Sequence, residues 1–138
     1  MRIGFETNGE TCEYTMQDAF ESWLKEKELR FMREVTVQEV SRRADFLIVK
    51  PKPSYYFSGP ADYWKGSQLI NVEAKCNDVQ CALAQIKDHA KYCDYSFLFL
   101  PDYSMIPKWA ILEIQKFGIG LIMYNHSKKQ ITEALPAF

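Results

Sequence analysis

The sequence predicts an α/β domain in which a mixed central sheet is flanked by helices, in the order α-β-β-β-α-β-α-β. Three observations carry that expectation. Two stretches, around Phe20 and around Ile86, repeat their apolar residues at helical spacing. Short runs such as Phe46-Leu47-Ile48-Val49 and Phe97-Leu98-Phe99-Leu100 have the length and composition of buried strands. The order opens with neighbouring strands, which suits hairpins, and continues with helices between strands, which suits crossovers. At 138 residues and 47% hydrophobic content, the chain reads as one domain with a single core.

The first dozen residues, with Gly4, Asn8 and Gly9, read as a loose arm. From Thr15 to about Leu29, Met16, Ala19, Phe20, Trp23 and Leu24 form the apolar stripe of an amphipathic helix, with Thr15 as its cap. Counting back from Phe20 at about 100° per residue puts Glu13 within that stripe and Asp18 and Glu21 away from it. Glu13 is thus an acid at the mouth of the helix, pointing inward. Phe31 to Val40 reads as a strand, Arg42-Arg43 as a turn, and Ala44 to Val49 as a buried strand with Asp45 at its mouth. Residues 51–67 break every period with three prolines and two glycines and form a loop carrying Tyr55, Tyr56, Phe57, Tyr63 and Trp64.

Leu69 to Lys75 is the strand around which the chain is organised. Alternate side chains share a face, so Asn71, Glu73 and Lys75 line one side, and Ile70, Val72 and Ala74 line the other. Asn77 or Asp78 then caps a helix with the stripe Val79, Ala82, Leu83, Ile86, Ala90 and Cys93, flanked on one side by Gln85, His89 and Tyr92. Phe97 to Leu100 is a strand stopped by Pro101, Ile106 to Phe117 a helix ended by Gly118, and Gly120 to Tyr124 the last strand. The tail from Asn125 is polar and carries no element signal.

Composition excludes several classes. No apolar run approaches a membrane span and the N-terminus lacks a signal-peptide core, so a cytoplasmic protein with no membrane role is expected. Cys12, Cys76, Cys81 and Cys93 contain no C-x-x-C pair, and reduced thiols are expected. A net charge of −1 means that nucleic-acid binding would rest on a local patch or on bound metal. His89 and His126 have no zinc-like spacing, and there is no P-loop, G-x-G-x-x-G turn or Ser-His-Asp set.

Asp45, Glu73-x-Lys75 and Gln85 stand in the order acid at a strand mouth, loop, E-x-K on the next strand, glutamine on the next helix. This resembles the PD-(D/E)XK nuclease superfamily, with Ala44 in place of the motif's proline. Gln85 and His89 resemble the Q-x-x-x-Y element of the RecB-type branch with histidine in the tyrosine place, while the cysteines do not match that branch's iron-sulfur set. The resemblance covers most of the chain and implies a restriction-endonuclease-like core.

It also implies a deoxyribonuclease of repair, recombination or restriction that uses Mg2+ or Mn2+. Asp45, Glu73 and the carbonyl of Ala74 would be metal ligands, and Glu13 would complete the site, as a first-helix acid does in Holliday-junction resolvases. Lys75 would act on the attacking water, and Gln85 would position a phosphate or brace the metal site. Such chemistry suits hard oxygen donors, because phosphodiester hydrolysis needs charge relief at the phosphoryl oxygens. DNA is the expected partner, with Arg43, Tyr55, Trp64, Lys65 and His89 as candidate nucleic-acid contacts. A helicase or other repair protein that delivers DNA, a non-catalytic binding role, and a homodimer are the alternatives. The aromatics of the 51–67 loop either touch substrate or a partner, or cap the domain or a dimer contact.

Overall fold

The computed structural model describes residues 9–37, 42–51, 67–102 and 106–138. Within them run α1 (Gly9–Glu26), β1 (Arg30–Val37), β2 (Arg42–Pro51), β3 (Ser67–Ala74), α2 (Val79–His89), β4 (Tyr95–Pro101), α3 (Lys108–Lys116), β5 (Gly120–Asn125) and β6 (Gln130–Leu135). The strands form one mixed six-stranded sheet in the order β1-β2-β3-β4-β5-β6. β1, β2 and β3 pair antiparallel, β3, β4 and β5 pair parallel, and β6 returns antiparallel to β5. Helices α2 and α3 are the crossovers of the two parallel steps, which need a connection of this length.

Helices flank both faces of the sheet, and each face has its own apolar cluster. On one, Met16, Phe20 and Leu24 of α1 pack against Phe46, Ile48, Val72, Ala74 and Phe99. The Phe20 ring sits 5.0 Å from both Phe46 and Phe99, with the Phe46 ring edge-on. On the other, Ala82, Leu83 and Ile86 of α2 and Ala110 and Ile114 of α3 meet Leu98, Leu100 and Leu121. Period-two alternation explains the split along β3: Val72 and Ala74 join the α1 cluster, and Asn71 and Glu73 are buried on the α2 face.

The observed element order departs from the expected one, with β6 as an additional strand. QITEAL gave no signal because β6 is an edge strand whose residues are mostly exposed. The α1 helix begins at Gly9, six residues before the expected cap, so Thr15 lies inside it. Arg42 and Arg43 do not turn the chain but pair with Val37 and Thr36 in the sheet. Pro101 does not stop its strand but pairs with Tyr124 at its end. α2 is capped by Asp78, whose carboxylate accepts from the Cys81 N–H at 3.1 Å, and ends before Cys93.

The expectation of reduced thiols also needs correction. Cys76, just past the end of β3, is disulfide-bonded to a sulfur outside the described side chains, whereas Cys81 and Cys93 are free. A disulfide sulfur has no S–H to donate, so the 3.7 Å approach of Cys76 Sγ to Met16 Sδ is a packing contact between the segment after β3 and α1. No helix among the described residues is long and apolar enough to cross a membrane.

Candidate active site

The site forms where β2 and β3 part. Their ladder runs from Pro51↔Ser67 to Phe46↔Val72 and stops one residue short of pairing Asp45 with Glu73. In place of the next backbone bond, the Asp45 side chain accepts from the Ala74 N–H at 2.8 Å. On the other side, the Lys75 N–H donates to the Phe99 carbonyl at 3.0 Å. Residues 73–75 are therefore held between β2 and β4 without the strand closing on Asp45. A residue's N–H and C=O point to the same side of a strand, so the Ala74 carbonyl faces the Asp45 side as well.

Glu13, Tyr14, Gln17, Glu34, Arg43, Asp45, Glu73, Ala74, Lys75 and Gln85 line one cleft of about 460 Å³. The structure thus brings together Asp45, Glu73, Lys75, Gln85, Glu13, Ala74 and Arg43, each singled out from the sequence. Glu73 is 2% exposed, and its Oε1 has no hydrogen-bond partner among the described atoms; the same holds for Gln85 Oε1. Glu13 and Lys75 face each other across the cleft, Oε1 to Nζ at 3.9 Å.

No three His, Cys, Asp or Glu side chains among the described residues converge on one point as a metal group. Glu13 shares the cleft with Asp45 and Glu73, its Oε1 toward the Lys75 ammonium. One correction follows from this geometry. His89 is not at the surface and cannot touch nucleic acid: it is 1% exposed, with Nδ1 3.3 Å from Glu73 Oε1 but out of line for a hydrogen bond. The reason is that helical side chains lean toward the N-terminus of their helix, which carries a ring from the last turn of α2 back over β3. Tyr55, Trp64 and Lys65 lie outside the described residues, as does most of the aromatic loop.

Sequence reasoning missed Tyr14, Gln17 and Glu34. The first two sit one and four positions beyond Glu13 on α1, and a helix start at Gly9 would have found them. Glu34 lies opposite Asp45 in β1 with φ at 57°, a left-handed conformation that nothing local in the sequence signals. Arg33 beside it donates to Asp18 at 2.9 Å, to Glu21 at 3.3 Å and to Gln17 at 3.1 Å, which ties α1 to β1 and accounts for the two acids directed away from the cleft.

Electrostatically the cleft holds a pair of neighbouring acids, Glu73 buried and Asp45 partly so. Burial, then the neighbouring Asp45 carboxylate and the hydrogen bond that the protonated Glu73 carboxyl donates to it, push Glu73 up to about 9. Burial also raises Asp45, against the pull of the Ala74 N–H. Two neighbouring carboxyls out of bulk water oppose each other's ionisation, which is why both shift upward.

That arrangement fixes the sign of a pH effect. Glu73 titrates near 4.5 when unfolded and near 9 when folded, so stability tied to its neutral form is complete below the lower value and is lost as pH rises through the upper one. In the presence of a chelator the melting temperature falls from about pH 5 to pH 9, and excess Mg2+ reverses the fall, since the cation favours the ionised pair. Melting curves at several pH values, with and without Mg2+, check this; a chelated protein whose stability climbs over that range contradicts the assignment.

Buried hard oxygen donors without hydrogen-bond partners fit a divalent cation. Two carboxylates and a carbonyl suit Mg2+, which binds through few protein ligands and keeps several waters. Comparison with protein-family models, curated proteins and solved structures found no match for the chain.

Proposed function

We propose that the chain is a metal-dependent nuclease that hydrolyses DNA phosphodiester bonds, with a restriction-endonuclease-like core of the PD-(D/E)XK type. The observation that carries this reading is the convergence of Asp45, Glu73 and Lys75 on one cleft, with an unpartnered buried carboxylate oxygen on Glu73. Asp45, Glu73 and the Ala74 carbonyl hold Mg2+ or Mn2+, which supplies Lewis-acid relief of charge on the phosphoryl oxygens.

The chain's own residues supply the rest. Lys75 orients the attacking water in line with phosphorus and offsets negative charge that grows in the transition state. Glu13, 3.9 Å away, holds the Lys75 ammonium toward the cleft. The half-buried Gln85 amide, in the same cleft as Glu73, accepts from a water or donates to a phosphate oxygen, and the exposed Arg43 pairs with a flanking phosphate. His89 packs its ring against Glu73 from behind and limits the positions open to that carboxylate.

The cleft wall carries four acids against Arg43 and Lys75, and the whole chain has a net charge of −1. This favours a partner such as a helicase that delivers the strand, and a non-catalytic binding subunit is the second reading. Incubating the purified chain with labelled DNA, with and without Mg2+, separates the two. Cleavage that a chelator stops supports the nuclease; DNA binding with no cleavage under either condition supports the subunit.

A further inference from the structure

Beyond Glu13, the α1 wall of the cleft carries two residues, Tyr14 and Gln17, for which bond hydrolysis alone has no use. Tyr14 lines it and is 47% exposed. Gln17, one turn further on, lines the same wall, and its side-chain carbonyl accepts from Arg33. Since Arg33 also binds Asp18 and Glu21 and lies over the Phe46 ring, the α1 backbone beneath Tyr14 is anchored to β1 and β2. A tyrosine on an anchored helix presents a flat face with only two side-chain torsions to fix, so ordering it on a ligand costs little entropy. Among the parts of a nucleic acid, such a face takes a base.

Charge argues for the same contact. Glu13, Glu34, Asp45 and Glu73 face only Arg43 and Lys75 around the cleft, and a divalent cation on the acid pair does no more than balance them, so phosphate attraction alone gives a weak hold on a strand. Stacking does not depend on that balance. Base faces inside a duplex are covered by their neighbours, and a protein ring reaches one only where the base is unpaired, terminal or displaced.

Resting on the nuclease reading, we infer that the substrate is single-stranded or frayed nucleic acid and that Tyr14 stacks on one of its bases beside the phosphate bound at Asp45 and Glu73. Tyr14 is a specificity residue: it selects strands whose bases are free, and it acts on binding rather than on the bond-breaking step.

Fluorescence anisotropy tests this in a Lys75→Ala background, which holds substrate without turning it over. The probes are a fluorescein-labelled oligothymidylate and a blunt hairpin, each in excess Mg2+. The single strand binds more tightly than the hairpin; adding Tyr14→Ala raises its Kd about tenfold or more, and Tyr14→Phe, which keeps the ring, leaves it within about twofold. An unchanged single-strand Kd in Tyr14→Ala, or tighter binding of the hairpin, overturns the stacking role and leaves the nuclease reading in place. Failure of the Lys75→Ala protein to bind either probe overturns the nuclease reading itself.

Discussion

Lys75→Ala lowers metal-dependent cleavage by about 10²- to 10⁴-fold, the range for losing a group that both directs a nucleophile and stabilises transition-state charge. The loss falls on kcat with KM little changed, because the ammonium contributes most when charge has built up on the phosphorane-like array. Folding is spared: the side chain is 26% exposed, and its one described ion pair, to Glu13, is long at 3.9 Å. Metal affinity is also nearly spared, since two effects oppose each other. Removing a cation beside the site relieves repulsion of Mg2+, but it also raises the Glu73 and Asp45 carboxyls further, because Lys75 pulls both down. Single-turnover rates beside calorimetric Mn2+ binding check this, and a variant that cleaves at the wild-type rate removes Lys75 from the mechanism.

Asp45→Asn and Glu73→Gln have a different signature, with two readouts of opposite sign. Each removes a carboxylate from a two-carboxylate site, so Mn2+ affinity falls about 100-fold or more. At the same time the metal-free protein becomes more stable. Near pH 8 folding must put on the wild-type pair a proton that the unfolded chain does not carry, and a neutral amide of the same shape avoids that cost. In Asp45→Asn the new amide carbonyl can still accept from the Ala74 N–H, so the β2–β3 junction survives. Substitution of a buried structural residue usually destabilises. A higher melting temperature with weaker metal binding therefore marks a site in which fold stability is given up for ligand chemistry. Lower stability with unchanged Mn2+ affinity contradicts the ligand assignment.

How far the sequence reveals this site depends on how local each determinant is. The E-x-K strand was readable because period-two alternation alone separates Asn71, Glu73 and Lys75 from Val72 and Ala74. The α2 stripe was readable for the same reason at period 3.6, and Gln85 came with it. Thr15 misled because threonine is a good cap, yet no residue between Gly9 and Thr15 breaks a helix, and the chain continues through it. Arg42 and Arg43 resembled a turn by charge, although the solvated end of a paired strand accepts arginine equally well. His89 was assigned to the rim by helical angle; the lean of its side chain onto Glu73 is a tertiary fact. β6 lacks a buried face to advertise it, and nothing local in the sequence marks the left-handed backbone at Glu34.

The central claim is that Asp45 and Glu73 form a divalent metal site at the parting of β2 and β3. Anomalous diffraction from a crystal soaked in Mn2+ tests it most directly. The account predicts one strong peak within bonding distance of an oxygen of each carboxylate and of the Ala74 carbonyl, lost in Glu73→Gln crystals soaked identically. A peak elsewhere, or a soaked wild-type crystal in which the two carboxyls stay in contact with no peak between them, contradicts it.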